Sequence, residues 1–290
     1  MDKYIKIIGH RGCRNIRPEN TMAAFKYALD LGADAVEFDV HLTTDGQLVV
    51  NHDYYLNPSL TRDENNAWIQ KQAKPIHMQS FEELKKYKLG RIKPYSLYAF
   101  IHHHAQSSQD EPIPTLKDVI ALLKNYPEAS LLIEIKTTPL TPEDSSDPEL
   151  ISKAVIEELN KTVVKDRCSI LAFDARVVQF VRQLDPKVKI FLNQSKQSKS
   201  NSLWYAGYDL KDFQGSIPAL IHKLGGDGWS AKYGQLNKEN VKQAHDYGQK
   251  VYAWTVNSTE KMKRLKDYGV DGIITDRPDQ MLDMLQRRKS

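Results

Sequence analysis

Val36-Glu37-Phe38-Asp39-Val40-His41 places three apolar residues on one side of an extended chain and three ionisable residues on the other. In a strand of a closed barrel, this alternation packs Val36, Phe38 and Val40 against surrounding helices and turns Glu37, Asp39 and His41 inward. Upstream, Met22, Phe25 and Leu29 recur at helical spacing, with Asn20 as the expected N-cap and Gly32 as the stop. Downstream, Thr43-Thr44-Asp45-Gly46 reads as a hairpin turn and Gln47 to Asn51 as a returning strand that ends at His52-Asp53. Folding about that turn sets His52 opposite Glu37 or Phe38.

Short apolar segments alternate with amphipathic helical ones along nearly the whole chain. The candidate strands are Tyr4 to Gly9, Ala35 to Val40, Leu131 to Lys136, Ser169 to Phe173, Val188 to Leu192, Asp227 to Ala231, Lys250 to Val256 and Gly272 to Thr275. Eight such strands close an α/β fold of the (β/α)8 TIM barrel type. Further helix starts are the capping-box pair Thr115 and Asp118, Asn237 with Gly248 behind, and Asn257 with Glu260. No repeat beyond the βα period is expected. Residues 54–114 break the pattern with Asn, Pro and Ser clusters, a short helix around Phe81 to Tyr87 and no expected strand. They read as a long loop insertion after the strand-two hairpin, a lid or pocket wall within one domain spanning 1–290. Tyr54, Tyr55, Trp68, Tyr95, Tyr98 and Phe100 keep a membrane-facing lid open as a reading, although the segment shows no strongly basic apolar helix.

A hydrophobic fraction of 40% and a charged fraction of 27% are ordinary for a soluble globular chain and argue against disorder and membrane spans. The formal charge of +4 is scattered apart from Arg287, Arg288 and Lys289, which read as a solvated helix end rather than a nucleic-acid site. Cys13 and Cys168 are too few for a disulfide framework and lack zinc spacing, so a reducing compartment is expected. Ile5-Lys6-Ile7-Ile8 is too short for a signal-peptide core, which gives a cytoplasmic expectation; a leader removed upstream would make it periplasmic or secreted.

Four segments put ionisable groups at the C-terminal ends of expected strands, where barrel enzymes build their sites: His10-Arg11-Gly12, Glu37-x-Asp39, His52-Asp53 and Glu134-x-Lys136. Leu132-Ile133-Glu134-Ile135-Lys136 repeats the alternation of strand two, so Glu37, Asp39 and Glu134 should converge. Three carboxylates in one space repel each other and pay desolvation unless a cation holds them ionised. All-oxygen ligation selects Mg2+, Ca2+ or Mn2+ over zinc; the competing reading pairs each carboxylate with Arg11 or Lys136. A metal beside Arg11 and Lys136 makes a pocket for a phosphate or phosphodiester anion. His10 and His52 flank it and can divide general-base and general-acid duties. His102, His103 and His104 are consecutive, cannot all face one metal, and read as loop histidines.

These segments, with Pro18-Glu19-Asn20-Thr21, Trp254-Thr255-Val256-Asn257 and Asp271-Gly272-Ile273-Ile274-Thr275-Asp276-Arg277-Pro278, together resemble the glycerophosphodiester phosphodiesterase family, in order from residue 8 to residue 278. The resemblance implies one Ca2+ or Mg2+ held by Glu37, Asp39 and Glu134, with His10 and His52 as catalytic acid and base and Arg11 and Lys136 on the phosphoryl oxygens. It further implies Glu19 and Asn20 as support around the site, and Trp254 and Phe173 against the substrate. In that family a glycerol hydroxyl attacks phosphorus, and water then opens the cyclic phosphate to glycerol 3-phosphate. Ala172-Phe173 stands where the family commonly has Ser-Phe, and Cys13 follows the HRG segment in a variable loop. Neither histidine takes a defined role from the residues alone; the carboxylates beside His52 favour it as the acid. The implied partner is a small glycerophosphodiester, with no nucleic acid and no stable membrane insertion. Two alternatives remain: a phospholipid-cleaving barrel phosphodiesterase, which needs an interfacial apolar surface, and a non-catalytic phosphoester-binding barrel, which needs a broken catalytic set.

Overall fold

The computed structural model describes residues 4–70, 74–196 and 201–287, so Arg288 and Lys289 lie outside the described residues. The strands in chain order are β1 (Lys6–His10), β2 (Ala35–Leu42), β3 (Leu48–Val50), β4 (Lys88–Leu89), β5 (Glu111–Pro112), β6 (Ser130–Ile135), β7 (Cys168–Ala172), β8 (Lys189–Gln194), β9 (Gly228–Lys232), β10 (Lys250–Trp254) and β11 (Gly272–Thr275). Eight of them, β1, β2 and β6 to β11, pair in parallel in sequence order, and β1 pairs with both β2 and β11, closing a (β/α)8 barrel. Strand ends move by a residue or two from the expected ones: β6 stops before Lys136, β7 before Phe173 and β10 before Val256. The helices are α1 (Met22–Leu31), α2 (Phe81–Leu84), α3 (Leu97–Ile101), α4 (Leu116–Leu123), α5 (Pro148–Asn160), α6 (Ala175–Leu184), α7 (Ile217–Leu224), α8 (Lys238–Asp246), α9 (Thr259–Tyr268) and α10 (Pro278–Met284). No helix among the described residues is long and apolar enough to cross a membrane.

Alternation along the strands separates two cores. Outward residues such as Val36, Phe38 and Val40 pack on the helices, with Phe38 5.4 Å from Phe25 of α1. Inward ones, Ile8, Ala35, Leu132, Leu171, Phe191, Tyr252 and Ile274, fill the barrel below the site. Phe191 and Tyr252 stack at 4.6 Å there. Each faces a glycine on the next strand: a Cβ on Gly228 would lie 2.2 Å from the Phe191 ring, and one on Gly272 2.9 Å from the Tyr252 ring. Those two glycines make room for the aromatic floor.

A short repeat, unexpected from the sequence, closes the opposite end. Gly32-Ala33-Asp34, Gly225-Gly226-Asp227 and Gly269-Val270-Asp271 each end a helix with a left-handed glycine and enter a strand through aspartate. Each aspartate exchanges two hydrogen bonds with the preceding strand: its own N–H donates to Ile7, Ile190 or Val251 at 2.8–2.9 Å, and its carboxylate accepts that residue's N–H at 2.7–2.9 Å. A cation pairs with each, Arg287 on Asp34, Arg182 on Asp227 and Lys250 on Asp271. Arg287 is therefore no solvated helix end; it also donates to the Ile5 carbonyl.

Two caps differ from expectation. Thr21, not Asn20, caps α1, its hydroxyl accepting the Ala24 N–H at 3.1 Å. Ser258, not Asn257, caps α9. The Thr115–Asp118 box and the Asn237 cap form as expected. Residues 54–114 hold α2, which stops at Leu84 rather than Tyr87, α3, and the antiparallel pair β4–β5 that the sequence did not suggest. Leu56, Ile76, Leu84, Leu89 and Ile113 form a separate apolar cluster with Val49.

Candidate active site

β2 and β6 run in parallel with Asp39 level with Glu134, which brings Glu37, Asp39 and Glu134 together at the C-terminal mouth of the barrel. One carboxylate oxygen from each lies within 4.8 Å of the others, and all three side chains are buried. Burial pushes Glu37 well above the ordinary carboxylate range, and the charges of Asp39 and Glu134 add to it. Burial raises Glu134 as well, opposed by Lys136. Asp39 is held low, because the charges of His52, Lys136 and Arg11 outweigh the burial that works to raise it. Ionising all three carboxylates at once is therefore costly without a further cation.

The hairpin delivers His52 as expected. Val40 pairs with Val50, and the Asn51 N–H bonds the Asp39 carbonyl at 3.1 Å, so the continued register sets His52 opposite Phe38. His10 ends β1, and closure of β1 against β11 brings Asp276 beside it. Both imidazoles use Nδ1 on an aspartate: His10 on Asp276 at 2.6 Å and His52 on Asp53 at 2.7 Å. A carboxylate accepts, so Nδ1 carries the proton and Nε2 is the free lone pair in each ring. His10 Nε2 lies 4.0 Å from Glu37. The two dyads differ in surroundings, since the Asp276 side chain is 2% exposed and that of Asp53 is 51% exposed. Burial works to raise Asp276, but His10 and Arg14 hold it well below the carboxylate range. Arg14 forks onto both of its oxygens at 3.1 Å, and Asn257 donates to it at 2.6 Å. Burial lowers the pKa of both His10 and His52, with Lys136 and Arg11 lowering His52 further.

Arg11 adopts a left-handed backbone that turns its N–H onto Glu37 at 3.0 Å. Its guanidinium binds Glu19 at 2.7 Å and approaches Asp39 at 3.6 Å, leaving Nε without a hydrogen-bond partner. Lys136, two residues nearer the mouth than Glu134 on the same strand direction, lies 2.7 Å from Glu134 and 3.5 Å from Asp39. The ion pairs offered as a competing reading are thus present beside the acidic cluster. Asn20, freed from capping, donates to Asp39 at 3.1 Å. Glu19 fixes Arg11 and accepts from the Tyr98 hydroxyl of α3 at 2.8 Å. His102 is buried, pairing Nδ1 with Asn15 and packing on Tyr98, so it is not a free loop histidine. His41 is buried above Asp39 against Tyr54, and burial lowers its pKa to about 4.

These groups surround a cavity of about 170 Å³. His10, Arg11, Arg14, Glu37, Asp39, His52 and Glu134 form its polar side, and Leu171, Phe173, Trp254 and Ile274 its apolar side. Phe173 and Trp254 meet edge to face at 5.6 Å. Sequence reasoning missed Arg14, Asp276 and Asn193, whose amide donates to Glu134 at 2.9 Å. Asp276 and Asn193 both sit at C-terminal strand ends, a signal available in the sequence; Arg14 had none.

The sequence model of the glycerophosphoryl diester phosphodiesterase family matches residues 10–280. A glycerophosphodiester phosphodiesterase of Caldanaerobacter subterraneus is 30% identical over 97% of this chain and 98% of its own length, and one of Bacillus altitudinis is 28% identical over 98% and 99%. The solved structure of a candidate glycerophosphoryl diester phosphodiesterase from Silicibacter pomeroyi superposes with a TM-score of 0.88 at 27% identity, covering 99% of this chain and 94% of that one. An Oleispira antarctica phosphodiesterase, solved with the product sn-glycerol-3-phosphate, shares the fold with a TM-score of 0.73 at 23% identity, covering 98% and 97%. A closed barrel with this polar mouth, matched along nearly its whole length by relatives of one kind, makes the chain a member of the glycerophosphoryl diester phosphodiesterase family.

Proposed function

We propose that the protein hydrolyses glycerophosphodiesters to glycerol 3-phosphate and the free alcohol, using a Mg2+ or Ca2+ ion and the two histidines. The observation that carries the reading is the pair of His–Asp dyads, His10–Asp276 and His52–Asp53, bordering one cavity with the acidic triad. The names of the relatives and the product bound by the Oleispira protein support the substrate class.

The donor set fits a hard divalent ion: Glu37, Asp39 and Glu134 offer oxygen only, and the raised pKa of Glu37 marks negative charge in want of a cation. Such an ion, when bound, supplies Lewis-acid polarisation of the phosphoryl group. Asn20 and Asn193 brace Asp39 and Glu134, while Lys136 limits their mutual repulsion. Arg11, which lines the cavity with its guanidinium held by Glu19, is the phosphoryl ligand. His10, oriented by a buried and fixed Asp276, takes the proton of the attacking glycerol hydroxyl at Nε2. The new P–O bond closes a cyclic phosphate as the bond to the alcohol breaks. His52, whose side chain is 33% exposed, gives that alcohol its proton, and the roles reverse when water opens the ring. The diester anion arriving beside His52 opposes Lys136 and Arg11 and favours its protonated form. Residues 54–114 support the site from behind, Tyr98 holding the Glu19 that fixes Arg11 and His102 pairing with Asn15.

Purified protein incubated with a panel of glycerophosphodiesters, with and without Mg2+ or Ca2+, tests this directly. Release of glycerol 3-phosphate is expected only with metal. Full turnover in excess chelator would remove the metal from the mechanism, and equal rates for glycerophosphocholine and its deoxy analogue would replace the internal hydroxyl by water.

A further inference from the structure

The most exposed apolar side chains in residues 54–114 are grouped on one short protrusion. Tyr95 is fully exposed, Leu97 73%, Phe100 80% and Ile101 56%, all within seven residues on and just before α3. Apolar side chains this large, side by side in water, mark a binding surface. The protrusion is anchored beside the active site: Tyr98 on the same helix donates to Glu19, which holds Arg11, and the Gln106 N–H bonds the Ile16 carbonyl at 3.0 Å. Its position against the segment between β1 and α1, which carries Arg11 and Arg14, is therefore fixed by hydrogen bonds, while its apolar side chains are exposed.

Charge indicates what the tip meets. Residues 85–109 contain five cations, Lys85, Lys86, Lys88, Arg91 and Lys93, and no Asp or Glu. Lys85, Lys86 and Arg91 are exposed, and neither Lys86 nor Lys93 makes an ion pair among the described residues. The cations lie on the chain flanking α3 rather than on the helix, so a search for a basic amphipathic helix passes over them. A helix of five residues offers a narrow apolar tip with no groove, which suits a non-directional, deformable apolar phase better than a shape-matched protein surface. We infer that this protrusion docks the enzyme on an anionic lipid–water interface, with Tyr95, Leu97, Phe100 and Ile101 entering the headgroup region and the flanking lysines facing acidic headgroups. The mouth of the barrel then opens close to the surface from which lipid-derived diesters are released. This goes beyond the proposed chemistry and stands whether or not that chemistry is right.

Co-sedimentation with phosphatidylcholine vesicles containing about a quarter phosphatidylglycerol, compared with pure phosphatidylcholine vesicles, tests it. The full chain should partition onto the anionic vesicles and be released by salt. The double variant Leu97→Ser, Phe100→Ser should lose at least about tenfold in partition coefficient. Lys86→Gln, Lys93→Gln should lose several-fold on anionic vesicles and be unchanged on neutral ones. Thermal melting and hydrolysis of soluble glycerophosphocholine should match the parent in both variants, showing that the barrel is intact. Absence of wild-type partitioning, or partitioning indifferent to Leu97 and Phe100, overturns the inference. So does a dimer in solution that the Leu97→Ser, Phe100→Ser variant abolishes, since the tip would then be a contact between copies.

Discussion

Asp276 and Asp53 differ in one respect that function should register: the first is buried and held on three sides, the second half in water. Asp276→Asn keeps the shape but replaces the acceptor that fixes the His10 tautomer. We expect kcat to fall about 10²- to 10⁴-fold with little change in KM, and Asp53→Asn to cost less. The pH profile separates orientation from mere packing. The Asp276 anion stabilises the His10 imidazolium, so its removal lowers the His10 pKa and moves that acid limb to lower pH. In the parent the base, His10, is already depressed from 6.5 by burial, so the loss of activity with acid should begin below that value. An Asp276→Asn enzyme with parental kcat and pH profile would reduce Asp276 to a structural role. Leaving-group chemistry divides the histidines themselves. His10→Ala and His52→Ala should each slow an alkyl diester by about 10²- to 10⁴-fold. A nitrophenyl leaving group needs little protonation and should rescue only the variant lacking the acid, assigned here to His52. Rescue of both, or of neither, would end that division of labour.

At the scale of elements, the hairpin and the glycine–aspartate corners do separate jobs at opposite ends of the barrel. The Thr43–Gly46 turn and β3 carry His52 back to the carboxylates of β2. The corners at Asp34, Asp227 and Asp271 seal the N-terminal rim, where barrel residues contribute stability rather than chemistry. Asp271→Ala leaves the Val251 N–H without its carboxylate acceptor and Lys250 without its partner. A loss of about 1–3 kcal/mol in urea unfolding is expected, with activity per folded molecule retained. If kcat fell with the stability intact, the rim would be coupled to the site in a way that this geometry does not show.

For the whole molecule, the acidic mouth sets folding against function. Glu37 has a folded pKa above its unfolded one, so the metal-free protein loses stability as pH rises through that range. Calorimetry of chelator-treated protein at pH 7 should therefore show a Tm that rises by several degrees on adding Mg2+ or Ca2+ at about 100 times Kd, equivalent to about 2.7 kcal/mol. Glu37→Gln should raise the metal-free Tm and blunt the response to metal. A metal-independent Tm in the parent would argue that Lys136 and Arg11 alone balance the triad.

Much of this protein is written locally. Alternation along Val36–His41 and Leu132–Lys136 fixed which side chains face inward, because period two is a property of any extended strand. Eight such strands fixed the barrel, and a turn of hairpin type fixed where His52 must return. The remainder depends on which parts of the chain meet when the barrel closes. Asp276 reaches His10 across 266 residues only because β11 pairs with β1, and Asn193 reaches Glu134 only because β8 stands across the mouth. Asn20 sits where either a helix cap or a brace on Asp39 satisfies local chemistry, and the packing of α1 against β2 chose the brace. Lys136 alternates inward as its sequence requires, and the convergence of β2 and β6 gives it two carboxylates, Glu134 and Asp39, to meet. Periodicity determines the direction a side chain takes from its own backbone; which group it meets is set by strands far away in sequence.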